Sequence, residues 1–381
     1  VDFELSPDQM GLRDAAADLL DNLSSPEQLR SFVGPGTGRD EDVAGLEDGF
    51  DRQLWEAMAE QGWLGVELPE AEDGLGLGMV EVVVLCEELG RHAAPAPFVG
   101  SVLCLGALGN AATDDSLTAE VRDAARSWAS QLVTGETIGC VAWSAGPTAL
   151  SARRDGDSWL LIGRPEPTLY ASVAGVAVVA TEDALFALEL TDADRPAAEP
   201  AMDPTRPLAW LTFDGTRAHR IGGAAEAAHL LNRAATANAG LLLGSSERAL
   251  DLSVEYAKVR KQFGKPIGSF QAVKHRLADA LVDVEGMRSS AYYAAWCVAT
   301  GHDEAPLAAS LAKAWCSDAS RRVTAAALQV HGGIGFTWEQ ELHLHVKRAQ
   351  LDAASFGDAS WHRNRIAGIL QQGLADGRAP I

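Results

Sequence analysis

The sequence predicts an α+β chain in three consecutive parts: a helical segment over residues 1–131, a β segment over 132–222 and a bundle of long helices over 223–381. Three observations predict it. Apolar residues recur at three- and four-residue intervals towards both ends, and short strand-like runs broken by Gly, Pro and Asp fill the middle. The length of 381 residues suits two or three domains with a sizeable buried core.

In the first part, Ser6-Pro7-Asp8 supplies a capping hydroxyl followed by proline at the first helical position. Leu54, Trp55, Met58, Ala59 and Trp63 line one face of an amphipathic helix that stops near Gly62. Residues Pro69–Gly78 are turn-rich, and helical patterns return over Val82–Gly90 and Leu117–Leu132. In the middle part, Ile138–Trp143, Trp159–Ile162, Val173–Ala180, Leu185–Leu190 and Leu208–Phe213 have the length and composition of strands in a β-barrel or sandwich domain. After Gly222-Gly223, helices are expected over roughly 224–260, 270–300, 305–330 and 338–375. Their short connections make neighbours antiparallel, as in a four-helix bundle.

Composition narrows the function. The five cysteines stand at wide spacings without a CxxC pair, which argues against a disulfide framework and against a metal centre; a reducing, cytoplasmic setting suits them. Val1-Asp2-Phe3-Glu4 carries acids where a targeting peptide would carry bases, and no apolar run approaches the roughly 20 residues of a membrane span. A soluble protein is therefore expected. A net charge of −22 disfavours nucleic acid and anionic membranes as partners. Residues 258–276 oppose that trend, with Lys258, Arg260, Lys261, Lys265, Lys274 and Arg276 and no acid. Such a stretch is either a solvated basic face or a site for a phosphorylated ligand.

Two C-terminal segments go beyond pattern. One runs from Tyr256 to His275 and contains Arg260-Lys261-Gln262-Phe263-Gly264 and Phe270-Gln271; the other is Gln329-Val330-His331-Gly332-Gly333-Ile334-Gly335-Phe336. Together they resemble the acyl-CoA dehydrogenase family. The loop at Pro69–Gly78 and the helix end Glu87-Glu88-Leu89-Gly90-Arg91 are similar to that family's N-terminal region. Neither glycine cluster fits a dinucleotide GxGxxG or a P-loop. The resemblance implies an acyl-CoA dehydrogenase-like fold, FAD as cofactor, an acyl-CoA substrate and an oligomer in which a neighbouring subunit completes the flavin site. It also implies an electron-transfer flavoprotein as acceptor. Under it, Arg260, Gln262, Phe263, Phe270, Gln271, Gln329, Val330, Gly332 and Gly333 contact FAD. A guanidinium grips a pyrophosphate through paired planar donors, and glycines let backbone N–H groups approach a phosphate closely. In the middle domain only Ser144, within Cys140–Gly146, keeps a side chain suited to hydrogen-bond the flavin, so the family's pattern is degraded there.

The family's reaction removes an α-proton with a carboxylate while the β-hydrogen leaves as hydride, and general-base catalysis is worth roughly 10²–10⁴-fold. The resemblance places that base in one of two positions. At the first, before the glycine between the last two helices, stands Phe356. At the second, on the long helix before Arg260, stand Ala234 and, two turns on, Leu241, with Asn238 between them. None can accept a proton. Asp358 and Glu247 are the remaining candidates, and Asp358 has a second expected role at the adenine end of FAD. The favoured expectation is a subunit without its own base that pairs with a Glu-bearing homologue, as in the actinobacterial heteromeric α2β2 acyl-CoA dehydrogenases that take bulky or steroid side-chain thioesters. A homo-oligomer using Asp358, a flavin monooxygenase or oxidase on the same fold, and a non-catalytic structural paralogue are the alternatives.

Overall fold

The computed structural model describes residues 4–33, 49–72, 74–146, 150–156 and 158–377. The acidic start at Val1–Phe3 and Asp73 of the glycine-rich loop lie outside them. In chain order the helices are α1 (Pro7–Leu23), α2 (Pro26–Val33), α3 (Arg52–Glu60), α4 (Met79–Arg91), α5 (Phe98–Thr113) and α6 (Ala119–Val133). Eight strands follow: β1 (Gly139–Ala142), β2 (Leu150–Asp155), β3 (Ser158–Gly163), β4 (Thr168–Leu169), β5 (Val176–Ala180), β6 (Ala184–Glu189), β7 (Leu208–Ala209) and β8 (Phe213–Gly223). Helix α7 (Ala224–Val259) leads into the short hairpin β9 (Lys261–Gln262) and β10 (Lys265–Pro266). After it come α8 (Gln271–Ala299), α9 (Ala305–His331), α10 (Leu342–Ala354) and α11 (Ala359–Ala375).

Local chemistry explains the boundaries. Ser6 caps α1 through a reciprocal capping box with Gln9, and Pro7 stands at the start of the helix. Asp51 and Thr118 cap α3 and α6 with their own side-chain oxygens. Helix α5 gives no periodic signal because it is apolar nearly all round: Phe98, Val102, Leu103, Cys104, Leu105 and Leu108 are all buried. The expected strand Leu208–Phe213 is instead split between β7 and the start of β8. Strand β2, Leu-Ser-Ala-Arg-Arg-Asp, escapes the sequence pattern because most of it faces solvent. The expected helix over 338–375 is two helices separated by a turn at residues 355–358.

The chain forms two compact units. One comprises Val1–Ser31, Met79–Ala94 and Ala235–Ile381. In it α1 packs on α4, α4 on α8, and α8 on α9, while α10 and α11 pack on α9. Helices α4 and α7 cross so closely that a Cβ on Gly90 would lie 2.2 Å from the Leu241 carbonyl oxygen, and one on Gly244 would lie 1.7 Å from that of Glu87. The other unit comprises Phe32–Gly78 and Pro95–Ala234. Its core is a six-stranded sheet in the order β1-β5-β6-β8-β3-β2, with β1 and β5 parallel and the other pairs antiparallel; β4 and β7 form a separate ladder. Helix α5 packs on β1 and α6, and α6 lies on β8, where Trp128 meets His219 edge to face at 5.7 Å. All five cysteines are buried and free. Among the described residues, no helix is long and apolar enough to cross a membrane and no cluster could hold a metal.

Candidate active site

The two sequence motifs meet at one end of the first unit. Helix α7 stops at Val259, and the Arg260 N–H still donates to the Tyr256 carbonyl at 2.9 Å. Arg260 then starts the β9–β10 hairpin, which the Ile267 N–H closes by donating to the Arg260 carbonyl at 2.8 Å. Helix α9 stops at His331, and Gly332 terminates it at φ 66°. The Tyr256 and His331 rings stack at 4.5 Å with 20° between their planes, which ties the end of α7 to the end of α9. His331 is held from behind by its Nδ1–H, which donates to the Ala327 carbonyl at 2.9 Å. Neither the stack nor the role of His331 in it is legible from the sequence.

The side chains around this end point outward. Arg260, Gln262, Gln271 and Gln329 are exposed, and Val330 is buried. The Gln262 side-chain amide donates to the neighbouring Lys261 carbonyl at 2.8 Å. Among the described residues Arg260 has no carboxylate partner. Phe263 stands 93% exposed with φ 51°, its ring edge-on to Phe270 at 6.1 Å, and Lys265 lies over the Phe270 ring at 4.6 Å. At Gly332 and Gly333 a Cβ would meet nothing within 4 Å. A guanidinium without a carboxylate partner among the described residues, exposed side-chain amides and an open glycine turn are the donor set that an anionic dinucleotide needs, so the residues present fit FAD.

Ser144 belongs to the other unit. Its Oγ accepts from the Gly146 N–H at 3.2 Å, and the neighbouring Ala145 N–H donates to Glu166 at 3.0 Å. The Ala145 N–H is thus taken by Glu166, while the Ser144 hydroxyl keeps its own O–H donor.

At the first expected base position, Phe356 is half-buried at φ 55° and Gly357 follows at φ 93°. Only glycine fits there, since a Cβ on Gly357 would lie 2.7 Å from the Trp361 ring. The turn is gripped from inside. His362 Nε2 donates to the Phe356 carbonyl at 3.0 Å, and Lys313 Nζ donates to the Gly357 and Ala353 carbonyls at 2.9 and 3.2 Å. Burial, with Lys313 adding to it, pushes His362 down to about 3, so the ring is neutral and its bond to the carbonyl is a neutral donation. Asp358 caps α11: its Oδ1 accepts from the Trp361 N–H at 2.7 Å.

At the second expected base position Ala234 and Leu241 are buried at 1% and 4% exposure. Between them, Asn238 Nδ2 donates to Asp352 of α10 at 3.3 Å. That buried acid stands on a helix far away in sequence, so the residues of α7 alone give no sign of it. Glu247 is held by Arg288 at 2.8 Å and Arg91 at 3.2 Å. Burial raises it above the usual carboxylate range and Arg288 opposes the shift. The same cluster pairs Arg288 with Glu87 at 2.5 Å and Tyr292 with Glu87 at 2.6 Å. Asp358 and Glu247 are therefore both committed to structural contacts.

In the other unit Arg233, next to Ala234, pairs with Glu67, and its guanidinium occupies space that any side chain at Gly106 would take. Arg233 lines a cavity of about 490 Å³ with Ala107, Asn110, Leu185, His229 and Leu230.

Residues 8–132 match the family model for the acyl-CoA dehydrogenase N-terminal domain, and residues 222–370 match that for the C-terminal domain. Acyl-CoA dehydrogenase IpdE2 of Mycobacterium tuberculosis is 33% identical over 343 residues, covering 89% of each chain. Among solved structures, the ChsE4-ChsE5 complex from Mycobacterium tuberculosis superposes with a TM-score of 0.85 at 28% identity, over 100% of both chains. The Tcur3481-Tcur3483 steroid ACAD gives 0.83 at 28% identity, over 97% of this chain and 99% of that one. The chain belongs to the acyl-CoA dehydrogenase family, FAD-dependent oxidoreductases that act on CH–CH bonds.

Proposed function

We propose that this chain is the base-lacking subunit of a heteromeric acyl-CoA dehydrogenase, paired with a Glu-bearing homologue that supplies the proton acceptor. The observation that carries this reading is the contrast at the two base positions. Phe356, Ala234 and Leu241 cannot take a proton, and the two acids that the sequence offers as alternatives, Asp358 and Glu247, are engaged in a helix cap and in ion pairs. When bound, FAD supplies the acceptor for the hydride. In this reading Arg260 and the Gly332-Gly333 turn hold the dinucleotide's phosphates, Gln262, Gln271 and Gln329 bond its polar edges, and Phe263, Phe270 and Val330 pack on it. The likeness to the ChsE4-ChsE5 complex supports a two-chain assembly, and the likeness to a steroid ACAD supports a bulky, steroid-type acyl group. A phenylalanine in place of the base gives the acyl group an apolar wall. An electron-transfer flavoprotein would reoxidise the flavin, in the cytoplasm.

The test is an anaerobic acyl-CoA titration followed by flavin absorbance, on the chain alone and on the chain co-expressed with a Glu-bearing homologue. Bleaching in the complex only is the expected result. Bleaching by the chain alone would overturn the pairing and point to the homo-oligomer using Asp358. Oxygen consumption without acyl-CoA oxidation would favour the monooxygenase or oxidase alternative.

A further inference from the structure

The α10–α11 turn is built around a buried lysine that the family reaction does not use. Lys313 of α9 is 0% exposed. Its Nζ lies within hydrogen-bond distance of three acceptors, Ser317 Oγ at 3.0 Å, the Ala353 carbonyl at 3.2 Å and the Gly357 carbonyl at 2.9 Å; an ammonium can donate to all three and the neutral amine to two of them. Ala353 lies in the last turn of α10, whose carbonyls have no helical partner. Lys313 thus bridges the end of one helix and the turn leading into the next. His362 holds the adjacent Phe356 carbonyl, so two successive carbonyls are gripped from the interior. Between those grips Phe356 adopts a left-handed conformation that a side chain with Cβ takes only when its surroundings enforce it.

We propose that Lys313 is a positioning residue, the buried clamp that holds residue 356 in the left-handed turn at the first base position. The charged or titratable groups around it are Asp352 of α10, Asp358, His362 and Arg365 at α11, and Cys316 and Arg321 of its own helix. Among the described residues no carboxylate forms an ion pair with it, so the clamp is made of neutral acceptors. A lysine held this way carries a signature that an inert packing residue lacks. Burial brings it down to about 7 from its ordinary 10.5, with Asp352 opposing. Opening the turn hydrates the amine and restores the ordinary value, so the open form binds more protons between about pH 7 and 10.5. The closed turn therefore gains as pH rises through that window, and the gain is lost as pH falls to about 7.

Amide hydrogen exchange at Ser355, Trp361 and His362, whose N–H groups bond to Leu351 and Asp358 on the two sides of the turn, corrected for the chemical pH dependence, tests this. In the wild-type chain protection is expected to rise from about pH 7 to 9, by at most about tenfold per pH unit. In Lys313→Met it should be lower by about tenfold or more and flat with pH, while exchange within α8 stays unchanged. A wild-type turn whose protection does not vary with pH would overturn the proposal, and this arm needs no variant. A Lys313→Met chain that keeps wild-type protection, or that loses it equally in α8, would overturn it as well. The inference shares with the proposed function only the place of residue 356. Exchange needs neither flavin nor partner, so failure here leaves subunit pairing standing, and failure of pairing leaves the clamp standing.

Discussion

Two Phe-Gly pairs in this chain adopt the same rare backbone and live in opposite surroundings. Phe263-Gly264 has φ values of 51° and 79°, and Phe356-Gly357 has 55° and 93°. The first sits on a hairpin with its ring 93% exposed and its neighbours Arg260 and Gln262 turned to solvent. The second is half-buried, and Lys313 and His362 engage its carbonyls from the interior. A left-handed, non-glycine residue costs about 1–3 kcal/mol and persists only where something over-determines it. At 356 that something is inside the chain. At 263 the hairpin and the Phe270 ring are the neighbours among the described residues, and the exposed face suits a ligand or second subunit. One half of the site is thus finished within the fold, while the other presents its chemistry outward.

That difference can be broken by mutation. The largest expected effect is on the outward half. Arg260→Ala should weaken FAD binding by about 1.5–3 kcal/mol, roughly ten- to a hundredfold, with an unchanged melting temperature, measured by FAD titration of the partner-bound complex and by calorimetry. A fall in melting temperature of the isolated chain would show that Arg260 is structural. On the inward half the pattern should invert. His362→Ala leaves the buried Phe356 carbonyl without its donor and should cost about 1–3 kcal/mol in urea denaturation, with little change in FAD affinity.

Two smaller effects sharpen the contrast. Asp358→Asn keeps a good cap for α11, so stability should stay within about 0.5 kcal/mol and flavin reduction in the complex should be unchanged. Abolished turnover would instead make Asp358 the base. Phe263→Gly should leave the isolated chain within about 0.5 kcal/mol, because relief of the left-handed strain offsets the added chain entropy and the exposed ring packs on little. A large loss of stability there would mean that the hairpin depends on that ring.

The outward half is largely legible in the amino-acid sequence. Arg260, Phe263, Gln271, Gln329 and Gly332-Gly333 are contiguous in two short segments, and their donor types follow from residue identity alone. The phenylalanine at the expected base position 356 is legible for the same reason, because a turn between two helices is a local feature. The inward half is not. Lys313 is a single lysine among small residues on α9, and nothing in the sequence says that its acceptors lie on the carbonyls of residues 353 and 357. The pairing of Asn238 with Asp352 joins residues far apart in sequence, and so does the stack of Tyr256 on His331.

Secondary structure divides along the same line. The capping box of α1 and the amphipathic face of α3 are written in local spacing. Helix α5 and strand β2 are not, because one is apolar on every side and the other is polar along most of its length; neither offers a period to read. What the sequence by itself determined was the order of the three parts and which residues stand at the expected flavin and base positions, since these are matters of residue identity at short range. Only the tertiary structure decided that Asp358 and Glu247 are already engaged and that a buried lysine grips the turn where the base would stand, because a side chain's partner is set by which distant helix packs against it.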